Sequence, residues 1–455
     1  MDFGIYKILM LFGSLGLFLF GMKLMSEALQ KVAGMGMRNI LAAITSNKFK
    51  SIITGLFITM LIQSSSATTV MVVSFVNAGL LSLIESVGII LGANIGTTFT
   101  AWLISLLGFN VRISSLALPI IGLSFYLIFS SKTRSQYLGE FIIGFAIIFL
   151  GLEFLKNSVP DISTNPEIIE FVSDYTHMGF LSVLLFLFLG FIVTAIVQSS
   201  SVAMALTIVM SYKGWIGFDL AAAMILGENI GTTITANLAA VVANSTAKRA
   251  ARTHFIINII GIAWIIIVFQ PFIRFIDLIV IKLNGTSPLE NISSIPLGLA
   301  VFHSAFNIIN VTVLAWFVPG IIKISSTLVR KRKNEDEHFS LKHITTGILS
   351  TSELSLLQAR REIANYGRKV NKMFSLVRNL FSETNETEFY NIYKSISGYE
   401  NYADHLEIEI ANYLTKISEG ELSQPGVQRL RLMLKLVDSI ENIADSCNSI
   451  AKTLR

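Results

Sequence analysis

The chain has 455 residues, of which 53% are hydrophobic and only 14% are charged. Soluble domains carry about a quarter charged residues, so this composition excludes a single soluble enzyme and a disordered chain. Residues 331–455 hold 17 Lys or Arg and 17 Asp or Glu, more than half of all charges, which predicts a membrane-embedded front and a soluble tail. The front therefore carries the net charge of +5, which favours loops at an anionic inner leaflet over nucleic acid.

Nine apolar stretches of the front are long enough to cross or enter a lipid bilayer. They lie near residues 5–25, 52–82, 86–107, 113–130, 138–155, 180–210, 219–243, 254–281 and 297–325. The stretches 52–82 and 180–210 are too long for one straight crossing, and each contains the polar sequence Gln-Ser-Ser-Ser. This pattern predicts re-entrant or broken helices.

Lys and Arg residues are concentrated in some of the connecting loops. The basic loops are 26–51, 131–136, 244–252 and the run 330–333. The loop 157–178 holds four acidic residues and no Lys or Arg, and the loop 282–296 has a single Lys. Basic loops stay in the cytoplasm, so we expect a multi-pass cell-membrane protein with its N-terminus outside and its C-terminal domain inside.

The front contains an internal repeat with a constant offset of 135 residues. Residues 63–98 and 198–233 both begin with Gln-Ser-Ser-Ser and both end with Asn-Ile-Gly-Thr-Thr. The chain enters the first copy from a basic loop and the second from an acidic loop, so the two copies are expected to be inverted in the membrane. Inverted repeats with interrupted helices are typical of secondary transporters, whose substrate binds near the midplane.

The repeated motifs suit a site for a small cation together with an oxyanion. Unpaired polar groups are costly in hydrocarbon, so the carboxamides and hydroxyls should face a cavity or a ligand. Glycine loosens the helix and frees carbonyl oxygens for a hard cation, while the new helix N-termini direct N–H groups at an anion. Close helix packing is the favoured explanation of a single Ser, but it does not explain two copies at one spacing.

The two copies differ at positions that bear on chemistry. Thr68 and Thr69 of the first copy correspond to Ala203 and Met204, and Ala93 corresponds to Glu228. An ionisable residue at membrane depth predicts function, so Glu228 is a candidate cation ligand or proton carrier. A salt-bridged glutamate at the edge of the bundle is the alternative. The cation is expected nearer the second copy.

Two histidines within the predicted membrane spans each have an asparagine four residues later, on the same helix face. The pairs are His254 with Asn258 and His303 with Asn307. Asparagine is a poor transition-metal ligand, so interhelical hydrogen bonding is the better interpretation of both pairs.

The tail has the periodicity of a helical bundle, for example Leu432, Leu436, Ile440 and Ile443. Helices are predicted near 352–382, 386–417 and 425–453. Glu-Asn-x-Ala-Asp occurs twice, which places pairs of acidic residues on single helix faces. These pairs are Glu400 with Asp404, and Glu441 with Asp445.

The duplicated motifs make residues 5–325 resemble the type II sodium–phosphate cotransporter family, in its bacterial branch. The resemblance implies sodium-coupled phosphate symport by alternating access, with an inverted-repeat fold and no organic cofactor. The residues that it implies for sodium are Gln198, Ser199, Glu228, Thr232 and Thr235, and Gln63 is a further sodium candidate. Those that it implies for phosphate are Ser64, Ser65, Ser66, Ser199, Ser200, Ser201, Asn94, Asn229 and Thr97. Vertebrate relatives commonly have Ser at the position of Glu228, so the sodium stoichiometry stays open.

The tail resembles a PhoU-like helical domain, which implies regulation of phosphate uptake and a metal site at Glu400, Asp404, Glu441 and Asp445. A solvated acidic face and a dimerisation bundle are the alternatives, and the latter predicts a homo-oligomer formed through this domain.

The expected organisation is an all-α membrane protein with a soluble helical bundle. A transport domain spans 1–330, with repeat one at about 5–130, repeat two at about 138–281 and a final helix at about 297–325. A linker follows at 331–349 and the helical domain occupies 350–455.

Three other functions are considered. A membrane phosphate sensor and a transporter of another oxyanion stay open, as does the direction of transport. An intramembrane hydrolase is disfavoured because no Gly-x-Ser-x-Gly sequence is present and no histidine is placed to activate Ser64 or Ser199.

Overall fold

The computed structural model describes residues 5–42, 47–77, 81–110, 113–159, 175–241, 243–329, 352–420 and 422–455. The predicted linker 331–349 and most of the loop 157–178 lie outside these residues. Regular structure in the described part is helical, without strands, and the predicted all-α fold class is confirmed.

Thirteen α-helices are described in the membrane-embedded part. They are α1 (Ile5–Ala42), α2 (Lys48–Ile62), α3 (Ser65–Asn77), α4 (Leu83–Trp102), α5 (Ile113–Ile128), α6 (Thr133–Ser158), α7 (Phe180–Val197), α8 (Ser200–Tyr212), α9 (Phe218–Ala239), α10 (Ser245–Ile267), α11 (Phe269–Asn284), α12 (Ile295–Leu314) and α13 (Val318–Leu328). A π-helical segment, Leu103–Asn110, continues α4. Six helical stretches among the described residues are long and apolar enough to cross a membrane.

Apolar side chains on the outside of this unit fit a lipid environment. Tyr126 is 87% exposed, Ile267 82% and Phe129 81%. A water-soluble surface would not carry so many large exposed apolar groups.

The two predicted helix breaks are present. Helix α2 ends at Ile62 and α3 begins at Ser65, while α7 ends at Val197 and α8 begins at Ser200. The polar Gln-Ser-Ser-Ser sequences therefore form the turns of two helical hairpins, α2–α3 and α7–α8.

Two stretches expected as single spans are each two helices. The stretch 254–281 is broken between α10 and α11, and the stretch 297–325 is broken between α12 and α13. Pro271 and Pro319 lie in the first turns of α11 and α13. Proline lacks an N–H group and clashes with the carbonyl four residues earlier, so it is tolerated at a helix start and not in the interior.

The hairpins pack in the same way in both repeats. Helix α2 packs on α4, and α7 packs on α9. Helix α12 contacts α4, α8 and α9, so it bridges the two repeats. Helix α1 packs along α6.

The C-terminal helices α14 (Ser352–Leu380), α15 (Glu386–Ser418) and α16 (Gln424–Leu454) form a three-helix bundle. They group in a second compact unit with short segments at the end of α3 and the start of α10. Asn385 and Ser423 cap α15 and α16 by accepting backbone hydrogen bonds. Helix α16 buries Met433 and Val437, whereas the predicted apolar positions Leu432, Leu436 and Ile443 are more than half exposed.

Candidate functional site

Both hairpins turn at a glutamine in the left-handed backbone conformation. Gln63 has φ 55° and Gln198 has φ 54°, and they are the only non-glycine residues with positive φ in the described part of the chain. Each donates its backbone N–H to a threonine carbonyl four residues earlier, Thr59 at 2.7 Å and Thr194 at 2.8 Å. A side chain costs free energy in this conformation, and such strain often marks functional sites.

A serine caps the helix that follows each turn. Ser64 Oγ accepts a hydrogen bond from the N–H of Ala67 at 3.1 Å, and Ser199 Oγ accepts one from Val202 at 3.4 Å. The N-termini of α3 and α8 therefore lie within the membrane-embedded unit, where their free N–H groups and positive dipole ends favour an anion.

Glycines bring each Asn-Ile-Gly-Thr-Thr helix against its own hairpin. A Cβ on Gly92 would lie 1.9 Å from the carbonyl oxygen of Ile52, and a Cβ on Gly227 would lie 1.8 Å from that of Leu187. The pairs differ by the repeat offset of 135 residues. The same backbone contact thus occurs in both repeats. In each repeat it holds the helix of the Asn-Ile-Gly-Thr-Thr motif against the hairpin of the Gln-Ser-Ser-Ser motif.

The serine motif of the first repeat reaches the second repeat. Ser66 Oγ donates to the carbonyl oxygen of Thr232 at 3.5 Å. The Thr232 hydroxyl donates within its own helix to Asn229 O at 2.8 Å, and the Thr97 hydroxyl donates likewise to Ala93 O at 3.0 Å. Since these hydroxyl protons are used, the lone pairs of the oxygens remain for a cation.

The asparagine of each Asn-Ile-Gly motif meets one of the two His-x-x-x-Asn faces. Asn94 Nδ2 donates to Asn258 Oδ1 at 3.5 Å, and Asn229 Oδ1 lies 3.3 Å from His303 Nε2. Interhelical hydrogen bonding is therefore the role of Asn258 and His303 in this structure. His254 has no hydrogen-bond partner for either ring nitrogen within the described residues.

The two glutamines have different surroundings. Gln63 is buried, and its Oε1 accepts from the Thr100 hydroxyl at 3.2 Å. Gln198 is exposed, and Thr235, at the position equivalent to Thr100, is partly buried. The two half-sites are therefore unequal in this conformation.

Glu228 is the carboxylate of the site and is 1% exposed. Its Oε1 accepts a hydrogen bond from the Thr207 hydroxyl at 2.6 Å. Its Oε2 has no hydrogen-bond partner within the described residues. A buried carboxylate oxygen without a donor is costly and calls for a cation or a proton.

The remaining predicted ligands lie at the starts of α3 and α8. These are Ser65, Ser66, Ser200 and Ser201, all buried. Sequence reasoning missed Thr100, Thr207 and the role of His303. Thr100 could have been found, because Thr100 and Thr235 keep the offset of 135, as do Gly55 with Gly190 and Thr59 with Thr194 outside the 36-residue repeat.

In the C-terminal bundle, carboxylate oxygens of Glu400, Asp404 and Asp445 lie within 4.8 Å of one another. Glu441, the fourth predicted residue, is not part of this close group. Burial raises the pKa of Glu441, and Asp445 and Asp404 raise it further. Tyr366 is fully buried, its hydroxyl has no partner among the described residues, and burial together with nearby carboxylates raises its pKa.

The sequence profile of the Na+/Pi-cotransporter family matches residues 17–157 and 170–311, more than half of the chain. This chain belongs to that family. The profile of the PhoU domain matches residues 363–454, within α14–α16. The sequence-based recognition of both parts is confirmed.

Three relatives show the range of proteins that the chain is similar to. The proposed inorganic phosphate export protein YjbB of Salmonella typhimurium is 26% identical over 96% of this chain and 76% of its own length. The uncharacterized protein YqeW of Bacillus subtilis is 31% identical over 64% of this chain and 88% of its own length. The sodium-dependent phosphate transport protein 2B of Homo sapiens is 37% identical over 23% of this chain and 15% of its own length. No solved structure matches the chain.

Proposed function

We propose that this family member is a sodium-coupled phosphate symporter that works by alternating access. The observation that carries the proposal is the contact between the serine motif of repeat one and the Asn-Ile-Gly-Thr-Thr motif of repeat two, where the Ser66 hydroxyl lies 3.5 Å from the Thr232 carbonyl oxygen. Membership of the Na+/Pi-cotransporter family supports phosphate and sodium as the transported species.

Phosphate is assigned to the space between the starts of α3 and α8. Each start offers unpaired backbone N–H groups, a positive dipole end and two buried serine hydroxyls, at 65–66 and 200–201. The caps Ser64 and Ser199 and the motif residues Asn94, Asn229 and Thr97 are proposed to complete this set, which for Thr97 requires that its hydroxyl proton turns from the carbonyl oxygen of Ala93 to the anion. Hydroxyl, amide and backbone N–H donors suit a tetrahedral oxyanion.

Sodium is assigned to the second repeat, where the carboxylate lies. Glu228 supplies the negative charge, and oxygens of Thr232, Thr235, Gln198 and Ser199 supply neutral ligands. A hard cation prefers such oxygen ligands. Gln63, the equivalent of Gln198, is proposed as the counterpart in the first repeat, where its oxygen is now held by Thr100.

The inequality of the two half-sites supports alternating access. Gln63 is packed and hydrogen bonded, whereas Gln198 is exposed. In an inverted-repeat transporter, the two halves exchange conformations during the cycle, so we propose that the opposite state buries Gln198 and releases Gln63.

The coupling is tested with the purified full-length protein in liposomes. An inward sodium gradient should drive accumulation of labelled phosphate, and an equal potassium gradient should not. Equal accumulation in potassium would reject sodium coupling.

Excess sulfate, or a small carboxylate, should leave the uptake of labelled phosphate unchanged, whereas strong competition by one of them would identify another oxyanion as the substrate.

The sodium assignment is tested by replacing its neutral ligands. Gln198→Ala and Ser199→Ala should each raise the sodium concentration for half-maximal uptake by about tenfold, because each removes an oxygen ligand. Gln136→Ala is the control, since Gln136 donates to Ser130 O at the start of α6. An unchanged sodium dependence in both ligand variants would reject the assignment.

The direction of transport is a separate question, because YjbB carries the name of an export protein. A sodium symporter runs in the direction of the sodium gradient, which in cells is usually inward. We therefore propose uptake. Phosphate efflux from preloaded liposomes that requires no sodium on the same side would instead favour export by another coupling.

A membrane phosphate sensor is the second candidate, and the C-terminal PhoU domain favours it. A sensor would bind phosphate but move none. Saturable phosphate binding without flux in the same liposome preparation would select this candidate over the symporter.

The C-terminal acidic group is proposed to bind a divalent metal ion, because three carboxylate oxygens already lie within 4.8 Å of one another. Full-length protein loaded with manganese and then dialysed should retain the metal, and Asp404→Asn and Asp445→Asn should lose it. Glu386→Gln, an exposed change in the same bundle, is the control. Equal metal content in all variants would reject the site, and Glu441→Gln shows whether Glu441 belongs to it.

A homo-oligomer formed through this domain stays a prediction.

A further inference from the structure

The carboxylate of the proposed sodium site is held by a residue with no assigned role. Thr207, in the middle of α8, donates its hydroxyl to Glu228 Oε1 at 2.6 Å, and Thr207 is itself 0% exposed. With Oε1 engaged, Oε2 is left without a partner among the described residues. The carboxyl group is therefore fixed at one oxygen and available at the other.

Comparison of the two repeats shows that Thr207 and Glu228 are present together in one repeat and absent together from the other. At an offset of 135, Thr207 corresponds to Val72 and Glu228 corresponds to Ala93. Val72 and Ala93 are both fully buried, so repeat one fills the equivalent space with apolar groups. The hydroxyl donor and the carboxylate acceptor are thus both present in repeat two and both absent from repeat one.

No Lys or Arg lies on α7, α8 or α12, which pack along α9. Helix α10 carries Lys248, Arg249, Arg252 and His254, but it bonds to α9 at Asn237, more than two turns after Glu228, where Asn237 donates to Ala251 O at 3.4 Å. Helix α7 has no ionisable residue, α8 has only Tyr212, and α12 has only His303, which is at hydrogen-bond distance from Asn229. Helix α9 itself adds Asp219 in its first turn. Compensation of the Glu228 charge by a Lys or Arg is therefore not built into α7, α8, α9 or α12, and a bound ion fits the free oxygen.

We propose that Thr207 is a positioning residue for the transported cation. Its hydrogen bond holds the Glu228 carboxyl in one orientation, so that Oε2 points to the ion and the second repeat becomes the stronger cation half-site. A fixed ligand also distinguishes ions by size, so Thr207 contributes to the preference for sodium over lithium and potassium. This inference rests on the proposed sodium-coupled function.

The test measures labelled phosphate uptake by liposomes containing the full-length protein at varied sodium. Thr207→Val keeps the side-chain shape and copies Val72, but it removes the donor. We expect the sodium concentration for half-maximal uptake to rise about tenfold, because hydrogen bonds to charged groups are the strong ones. At saturating sodium, the phosphate concentration for half-maximal uptake should stay within about twofold, and the ratio of lithium-driven to sodium-driven uptake should change.

Three further variants separate positioning from structure. Thr207→Ser keeps the hydroxyl and should restore the wild-type sodium dependence. Ser211→Ala is the matched control, because Ser211 is a fully buried hydroxyl one turn later in α8 that donates to Ile216 O at 2.9 Å. In a Glu228→Gln background, Thr207→Val should add little, since Thr207 acts through the carboxylate.

The outcomes distinguish this inference from the function on which it rests. Phosphate uptake by the wild-type protein that is independent of sodium would overturn both. Sodium-dependent wild-type uptake together with unchanged sodium dependence in Thr207→Val, or an equal defect in Thr207→Ser or Ser211→Ala, would overturn the positioning role alone. Full additivity of Thr207→Val and Glu228→Gln would overturn it as well.

Discussion

At Gln63 and Gln198, the backbone conformation and the choice of side chain have different explanations. Both adopt φ values near 55°, where glycine has no steric penalty and other residues do. The sequence keeps glutamine at both positions despite that cost. We infer that the carboxamide, and not the turn itself, is the reason for the residue type.

Replacing each glutamine with glycine tests this directly. Gln198→Gly should keep the hairpin turn and leave thermal stability in detergent unchanged or slightly higher, because φ becomes unstrained. Sodium affinity should nevertheless fall, since a ligand oxygen is lost. The measurement is sodium-dependent uptake alongside thermal unfolding. Unchanged sodium affinity in a stable Gln198→Gly protein would show that only the turn is needed.

The site could be predicted in part from single residues. The repeated serine and asparagine motifs predict the region of the candidate site because polar groups inside apolar sequence have few other uses, and the structure joins the two repeats there through Ser66 and Thr232. Thr207 could not be found in this way, since it lies among ordinary buried residues of α8 and its counterpart is Val72. Only the contact with Glu228 Oε1, at 2.6 Å, reveals it.

Helices of the membrane-embedded part contact one another through glycine residues. Gly92 and Gly227 each face a backbone carbonyl of the neighbouring hairpin, Ile52 and Leu187, closer than any side chain permits. Such contacts replace the hydrophobic driving force that helices lack inside a membrane. They also fix the distance between the serine motif and the asparagine motif within each repeat.

Adding one methyl group at these contacts should separate the helices. Gly227→Ala places a Cβ 1.8 Å from the Leu187 carbonyl oxygen, so we expect a loss of about 3 kcal/mol or more in stability and loss of uptake. Gly16→Ala in α1 is the control, because nothing lies within 4 Å of its Cβ position. That change should be neutral or stabilise by about 0.5–1 kcal/mol. Equal melting temperatures for both variants would contradict the packing argument.

Helix positions were more predictable than helix faces. The tail helices begin and end within two residues of the predictions, since caps such as Asn385 and Ser423 mark them. The exposed Leu432 and Leu436 show that periodicity alone does not tell which of two apolar stripes is buried. In the membrane part, hydropathy joined helices that Pro271 and Pro319 separate, because a window average does not register a single proline.

At the scale of the whole molecule, the proposed mechanism requires that the two hairpins enter from opposite sides of the membrane. The argument for this is the placement of Lys and Arg in the loops. It leads to a cytoplasmic loop at 131–136 and an outer loop at 282–296.

Cysteine labelling checks this orientation in intact cells. The single native cysteine, Cys447, is buried, so background labelling should be low. Glu290→Cys should react with a membrane-impermeant maleimide from outside, and Ser131→Cys should react only after the cells are opened. Both positions are exposed. The reverse pattern would invert the orientation, and labelling of both from outside would contradict the inverted repeat.

The most direct measurement is a high-resolution map of the full-length protein in lipid nanodiscs with saturating sodium phosphate. We expect density for a tetrahedral anion between the starts of α3 and α8, and density for a cation next to Glu228 Oε2. A matched map in potassium chloride should lack both. Bound phosphate located away from the two serine motifs, or an empty site at saturating sodium phosphate, would contradict the account.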